Sequence, residues 1–145
     1  MFKNILLPTD GSATSEKAIQ AGVALARDTG AQVVGLYVIP EFRTFTYNTE
    51  MLEDTAEQFA KDANANATRF LAVIEAAARQ AGVTCSLKRV TSDHPYQAII
   101  DTALEMKCDL IAMASHGRKG LKGMLIGSET QKVLIHTQIP VLVYR

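Results

Sequence analysis

The sequence predicts an α/β fold: a parallel sheet of five strands covered by helices on both faces. Three observations predict it. Short unalternated apolar runs recur along the chain, as strands buried on both faces require. Longer stretches of helical period separate them. The two kinds alternate strictly, β-α-β-α-β-α-β-α-β, and that order implies parallel strands joined by right-handed crossovers.

Ile5-Leu6-Leu7 is the first strand, and Pro8-Thr9-Asp10-Gly11-Ser12 breaks it. From Ser15 to Arg27, the residues Ile19, Gly22, Val23 and Ala26 recur at helical spacing, with Gly30 as the stop. Val33 to Ile39 is a second buried strand, ended by Pro40. A mixed loop over 41–49 carries Phe42, Phe45 and Tyr47. Leu52, Ala56, Phe59, Ala63, Ala67, Phe70, Ile74 and Ala78 then form the apolar stripe of a long helix that Gly82 ends. Thr84 to Val90 is a weaker strand whose charges place it at a sheet edge. Pro95 suits the first turn of a third helix, with Ile99, Ala103 and Met106 on its buried side. Asp109 to Ala114 is a fourth strand, and 115–127 is Gly-rich. Ser128-Glu129-Thr130-Gln131 fits a capping box with Ser128 as N-cap, opening a last helix that runs to His136. Pro140 to Tyr144 is the final strand.

The chain has 145 residues, the length of one domain, and a single domain over 1–145 is expected. Apolar residues make up 48% and charged residues 21%, an ordinary globular composition. A chain of this size buries roughly 68–70% of its unfolded surface, enough for its own core. Fifteen Lys and Arg balance fifteen Asp and Glu, which leaves no electrostatic footprint for nucleic acid or an anionic membrane. Cys85 and Cys108 form no C-x-x-C pair, and His94, His116 and His136 have no ligand spacing. Neither a disulfide framework nor a zinc site fits that pattern. No run approaches eighteen apolar residues, and no basic-then-apolar leader opens the sequence. The expectation is a cytoplasmic protein with no nucleic-acid and no membrane partner.

Parallel α/β sheets bind ligands beyond the carboxyl ends of their strands, where the strand order reverses. The loops after strands one, two and four are therefore the informative ones. The last of these, from Met113 to Ser128, contains Gly117, Gly120, Gly123 and Gly127. Glycine lets a ligand approach the backbone closely. The loop delivers Ser128 to a helix start, where free N–H groups and the helix dipole favour an anion. Arg118, Lys119 and Lys122 add positive charge. This composition describes a phosphate-binding loop; read blandly, it is a solvated loop with a helix cap. It is neither a P-loop nor a G-x-G-x-x-G fingerprint.

From end to end the chain resembles the universal stress protein family. Nucleotide-binding members of that family carry G-x2-G-x9-G-[S/T] after the fourth strand. The aligned residues here are Ala114-x2-Gly117-x9-Gly127-Ser128, with alanine in place of the first glycine. The Ala114 methyl either crowds a close backbone–ligand contact or is tolerated at an ordinary negative φ. The resemblance implies a Rossmann-like open sheet in the order 3-2-1-4-5. It also implies an adenine nucleotide as ligand, ATP with Mg²⁺ or Mn²⁺.

The residues that the resemblance assigns to nucleotide binding fall in three places. Pro8, Thr9 and Asp10 follow the first strand, and Val38 offers its backbone to the adenine. Met113, lying under the purine, leads into Ala114, Ser115, His116, Gly117, Arg118, Lys119 and Gly120. Gly127, Ser128, Glu129 and Thr130 open the last helix. Asp10 matches an acidic position near the ribose or a phosphate-bound metal, while helix capping or loop structuring explains the same residue on sequence alone. Val38 and Met113 also serve as plain core residues. No Ser or Cys nucleophile with a His–Asp partner can be assembled from the spacing, so the catalytic set is empty and His116 is a loop residue near phosphate. The resemblance implies that the last strand, Val141, Leu142, Val143 and Tyr144, pairs with its mate in a second copy, giving a homodimer; the alternative is an ordinary covered sheet edge. The function implied is a dimeric, regulatory, nucleotide-binding stress protein read by an unknown protein partner. The alternatives are slow ATP hydrolysis or phosphoryl transfer at the same site, and a nucleotide-independent interaction module.

Overall fold

The computed structural model describes residues 1–42, 49–117 and 126–145, with side chains for all of these except 49–54. The elements are β1 (Asn4–Thr9), α1 (Ala13–Thr29), β2 (Gln32–Ile39), α2 (Thr49–Ala81), β3 (Cys85–Thr91), α3 (Pro95–Glu105), β4 (Leu110–Ala114), α4 (Ser128–His136) and β5 (Val141–Tyr144). The strands form one parallel sheet in the order β3-β2-β1-β4-β5. This is the order that the family resemblance implies.

Strand alternation sorts the core onto two faces. Ile5, Leu7, Val33, Leu110 and Ala112 pack with Ile19 and Val23 of α1 and Phe70 and Ile74 of α2. Leu6, Val34, Leu36, Ile111 and Met113 pack on the other face with Ile99 and Ala103 of α3 and Val133 of α4. Ile5, Leu6 and Leu7 are fully buried, which explains the unalternated run. Each such side chain contributes about 1.5–3 kcal/mol relative to an exposed one. β3 lies at one sheet edge, as its charges predict, and has only half-buried and exposed residues.

Most predicted elements stand within a few residues of their observed bounds. Ser12 caps α1 by accepting the Ser15 N–H at 3.1 Å, and Gly30 ends it in the left-handed region at φ 72°. The α2 stripe is buried from Ala63 through Ala67, Phe70 and Ile74 to Ala78. The side chain of Leu52 lies outside the described residues, as do Phe45 and Tyr47. Met106 is the C-cap of α3 and only half-buried, so it closes that helix's apolar side instead of belonging to it.

Two readings need correction. β1 does not stop at Pro8 but continues to Thr9, with Pro8 in register with Leu36. The Lys3 carbonyl accepts the β2 residue Gln32, and the Asn4 carbonyl accepts Asp109 ahead of β4. Alternation puts Pro8 with Asn4 on the β4 side. There the β1–β4 register spans only Ile5↔Leu110 and Leu6↔Ile111. Proline's missing N–H thus falls where the two strands have already parted, and it costs no ladder bond. The second correction concerns α4. Its N-cap is Gly127, extended at φ −70° and ψ 158°, and Ser128 is the first helical residue. The capping box does not form; the Gln131 side chain donates to the Ile126 carbonyl at 3.2 Å.

Candidate functional site

Where β1 and β4 part, the sheet opens into a cleft of about 740 Å³. This is the switch point of the strand order. β1 contributes Pro8 and Thr9, with Asp10 just beyond it. Thr9 is buried, and its Oγ1 accepts the Gly11 N–H at 3.1 Å. Gly11 turns the chain at φ 81°, a conformation that favours glycine. That turn sends the Asp10 carboxylate back toward α1. Its Oδ1 accepts the Ser12 N–H at 2.9 Å and the Ser15 hydroxyl at 2.7 Å. Asp10 is therefore held from the α1 side, so the loop-structuring role is met in the structure.

On the far side of β4, Met113 and Ala114 line the cleft, followed by His116 and Gly117. Ala114 shares the α1 face of the sheet with Leu110 and Ala112, whereas Met113 faces α3 and α4. Ala114 is not among the residues with positive φ, so its methyl is compatible with the backbone. Its carbonyl accepts the buried Thr130 hydroxyl at 2.9 Å. This bond ties the first turn of α4 to the end of β4.

Ser115 does not line the cleft; it lies beneath it, 1% exposed. Its N–H donates to the Tyr144 carbonyl at 2.6 Å, continuing the β4–β5 ladder by one residue. Its carbonyl accepts the Gly127 N–H, and the Gly127 carbonyl in turn accepts Gln131. Its hydroxyl lies 3.0 Å from His116 Nδ1. A β-carbon on Gly127 would stand 3.1 Å from His116 Cα and 3.2 Å from the Ser115 carbonyl oxygen. Glycine at 127 leaves room for two backbone segments to meet there.

Gly127, Ser128, Glu129 and Thr130 complete the wall at the start of α4. No side chain caps this helix, so its first-turn N–H groups are without intrahelical partners at the cleft. The Glu129 carboxylate accepts the Tyr96 N–H at 2.9 Å, joining the start of α4 to the start of α3. Val38 lines the cleft from the end of β2, on the same face as Met113.

The structure thus places twelve of the described candidates around one cleft, from Pro8 to Thr130. Arg118, Lys119 and Gly120 lie outside the described residues. Sequence reasoning missed Ser15, Tyr37, Pro40, Asp93, Pro95 and Ile99. Four of these six come from α1, α3 and the β3–α3 connection, which were read only as structural. The signal available was Ser-Asp-His-Pro before a helix, a turn that closes over the neighbouring strand end. Asp93 does this by accepting the Glu41 N–H at 3.1 Å just after β2.

Among the described residues, no group of three His, Cys, Asp or Glu side chains could hold a metal ion. No helix among them is long and apolar enough to cross a membrane. β5 is the other edge strand and, among the described residues, pairs only with β4.

Known structures share this architecture. MJ0577 of Methanocaldococcus jannaschii is 28% identical over all of this chain and 96% of its own. Its solved structure superposes with a TM-score of 0.83 at 29% identity, covering 99% of this chain and 95% of that one. A universal stress protein in complex with cAMP has the same fold at 23% identity, with a TM-score of 0.72 over 99% of this chain and 97% of its own. One from Archaeoglobus fulgidus in complex with dAMP does so at 18% identity, with a TM-score of 0.65 over 100% and 98%. The model of the universal stress protein family matches residues 1–145. With the parallel sheet in the order 3-2-1-4-5, the chain belongs to the universal stress protein family.

Proposed function

We propose that this protein binds an adenine nucleotide, ATP carried with Mg²⁺ or Mn²⁺, in the switch-point cleft, and that occupancy acts as a regulatory signal in stress. The observation that carries the reading is the uncapped start of α4, framed by Gly127 and facing the cleft. Its free N–H groups and dipole suit a phosphate. The purine would lie toward Val38 and Met113, which share one face of the sheet. The relatives solved with cAMP and dAMP support the adenine part of the reading.

With no cluster of ligating side chains among the described residues, the metal would be held mainly by the nucleotide's own phosphates. Asp10 is the carboxylate positioned to meet such an ion, because it lines the cleft from a fixed turn. The ion would neutralise phosphate charge there. The protein acts as a homodimer through β5, in the cytoplasm, and a protein partner reads its nucleotide state.

The test begins with protein purified without added nucleotide, denatured, and its released small molecules identified by mass spectrometry. A near-stoichiometric adenine nucleotide is expected. An empty protein that also fails to bind millimolar Mg-ATP in a calorimetric titration overturns the reading.

A further inference from the structure

Glu129 is shared by the starts of two helices. It is the second residue of α4, and its Oε2 accepts the N–H of Tyr96, the second residue of α3. Its Oε1 accepts Lys132 Nζ at 3.4 Å. Neither helix has a side-chain cap. The first turn of α3 therefore already holds an anion, one that belongs to the protein itself. A ligand anion has the start of α4 left to it, and there it meets the same carboxylate. Lys132 and Glu129 are 48% and 39% exposed, so their ion pair is screened and offsets little of the Glu129 charge. Asp10 and Asp93 line the same cleft.

Like charges a few ångströms apart repel in proportion to the charge on each. At the mouth of α4 the penalty grows with the number of phosphates a ligand brings. We propose that Glu129 is a specificity-determining residue that grades ligands by phosphate charge, disfavouring a bare triphosphate relative to the monophosphate of the same nucleoside. The inference rests on the reading of the cleft as an adenine-nucleotide site. It differs from a purely structural role in sign and in pattern. Loss of the Glu129–Tyr96 clasp alone would loosen α3 from α4 and weaken all ligands alike. Loss of the charge favours the triphosphate over the others.

The experiment measures the affinities of ATP, AMP and adenosine by calorimetry in EDTA, for the wild type, Glu129→Gln and Lys132→Gln. Glu129→Gln is expected to raise the ATP-to-AMP affinity ratio about three- to tenfold. Lys132→Gln, a substitution at an exposed side chain, is expected to lower the ratio by about twofold, since it uncovers Glu129. Both changes shrink in about 0.5 M salt. An unchanged ratio in Glu129→Gln, or an equal shift of all three affinities, overturns the proposal. A wild type that binds none of the three, or binding with an unmoved ratio, overturns this proposal; a wild type that also fails to bind millimolar Mg-ATP overturns the adenine-nucleotide reading with it.

Discussion

Gly117 lies so close against the Asp10 carboxylate that a β-carbon on it would fall inside Oδ2. The other oxygen, Oδ1, is held by the Ser12 N–H and the Ser15 hydroxyl. The ends of β1 and β4 are therefore fitted to each other across the cleft. Gly117→Ala is expected to push the carboxylate off its α1 partners. The cost in stability is about 1 kcal/mol, because the end of a side chain gives way more cheaply than backbone. Nucleotide affinity falls about tenfold as the cleft is reshaped. A double-mutant cycle with Asp10→Ala checks the cause. The stability loss of Gly117→Ala should largely vanish when Asp10 is already truncated.

Gly127→Ala meets backbone instead. The added carbon would stand 3.1 Å from His116 Cα and 3.2 Å from the Ser115 carbonyl oxygen. Neither neighbour can turn aside as a side-chain end can. The expected destabilisation is about 1–3 kcal/mol, read by urea denaturation, with affinity for Mg-ATP down more than about tenfold. Wild-type affinity in a folded Gly127→Ala protein would remove the start of α4 from the site.

At the opposite end of the sheet, Asp109 gathers the amino terminus. Its carboxylate accepts the Lys3 N–H at 2.9 Å and the Asn4 N–H at 2.9 Å. Burial alone would raise this carboxyl, but the backbone donors of Asn4 and Lys3 hold it below its ordinary value of 3.8. A depressed carboxyl stabilises the fold fully above that ordinary value and loses its contribution as pH falls through the lower folded value. Asp109→Asn is expected to cost about 1 kcal/mol near pH 7. The gap to the wild type should close in acid, below 3.8. Urea denaturation of both proteins across that range checks it; a gap that holds constant into strong acid contradicts it.

Leu142 on β5 is 37% exposed and Ile135 on α4 is 74% exposed. Leu142 is thus an apolar side chain on an edge strand that, among the described residues, pairs on one side only. If two copies pair through β5, Leu142→Asp is expected to convert a dimer into a monomer. Sedimentation velocity reads this directly. A wild-type chain that sediments as a monomer at tens of micromolar would remove the homodimer from the proposed function.

Much of the fold was legible because burial on both faces leaves an unmistakable trace. Val33 to Ile39 and Asp109 to Ala114 read as strands for the same reason that helices cover them. The start of α4 was read one residue late. Serine, glutamate and glutamine fit a capping box on pattern, but the cap position fell to a bare glycine, where a β-carbon would crowd Ser115 and His116. Pro8 misled for a related cause: proline argues against a central strand until one knows that the neighbouring strand has already turned away. The loops after β1, β2 and β4 were found from topology. Asp93 and Pro95 were not, since an edge strand's loop is brought to the cleft by long-range bonds, Ser92 to Ile39 and Asp93 to Glu41, that no local pattern records.

The bonds through Ser115 carry a mechanical consequence. Tyr144, Ser115, Gly127 and Gln131 are joined carbonyl to amide in a single file, from the penultimate residue of the chain to the first full turn of α4. The sheet's outer edge and the mouth of the last helix are thus two ends of one lever with Ser115 as its pin. A force applied along β5 is transmitted to the frame around Gly127 without passing through any side chain that touches the cleft. A chain trimmed just before Tyr144 would keep every cleft-lining residue and still lose the bond that ties Ser115 to β5.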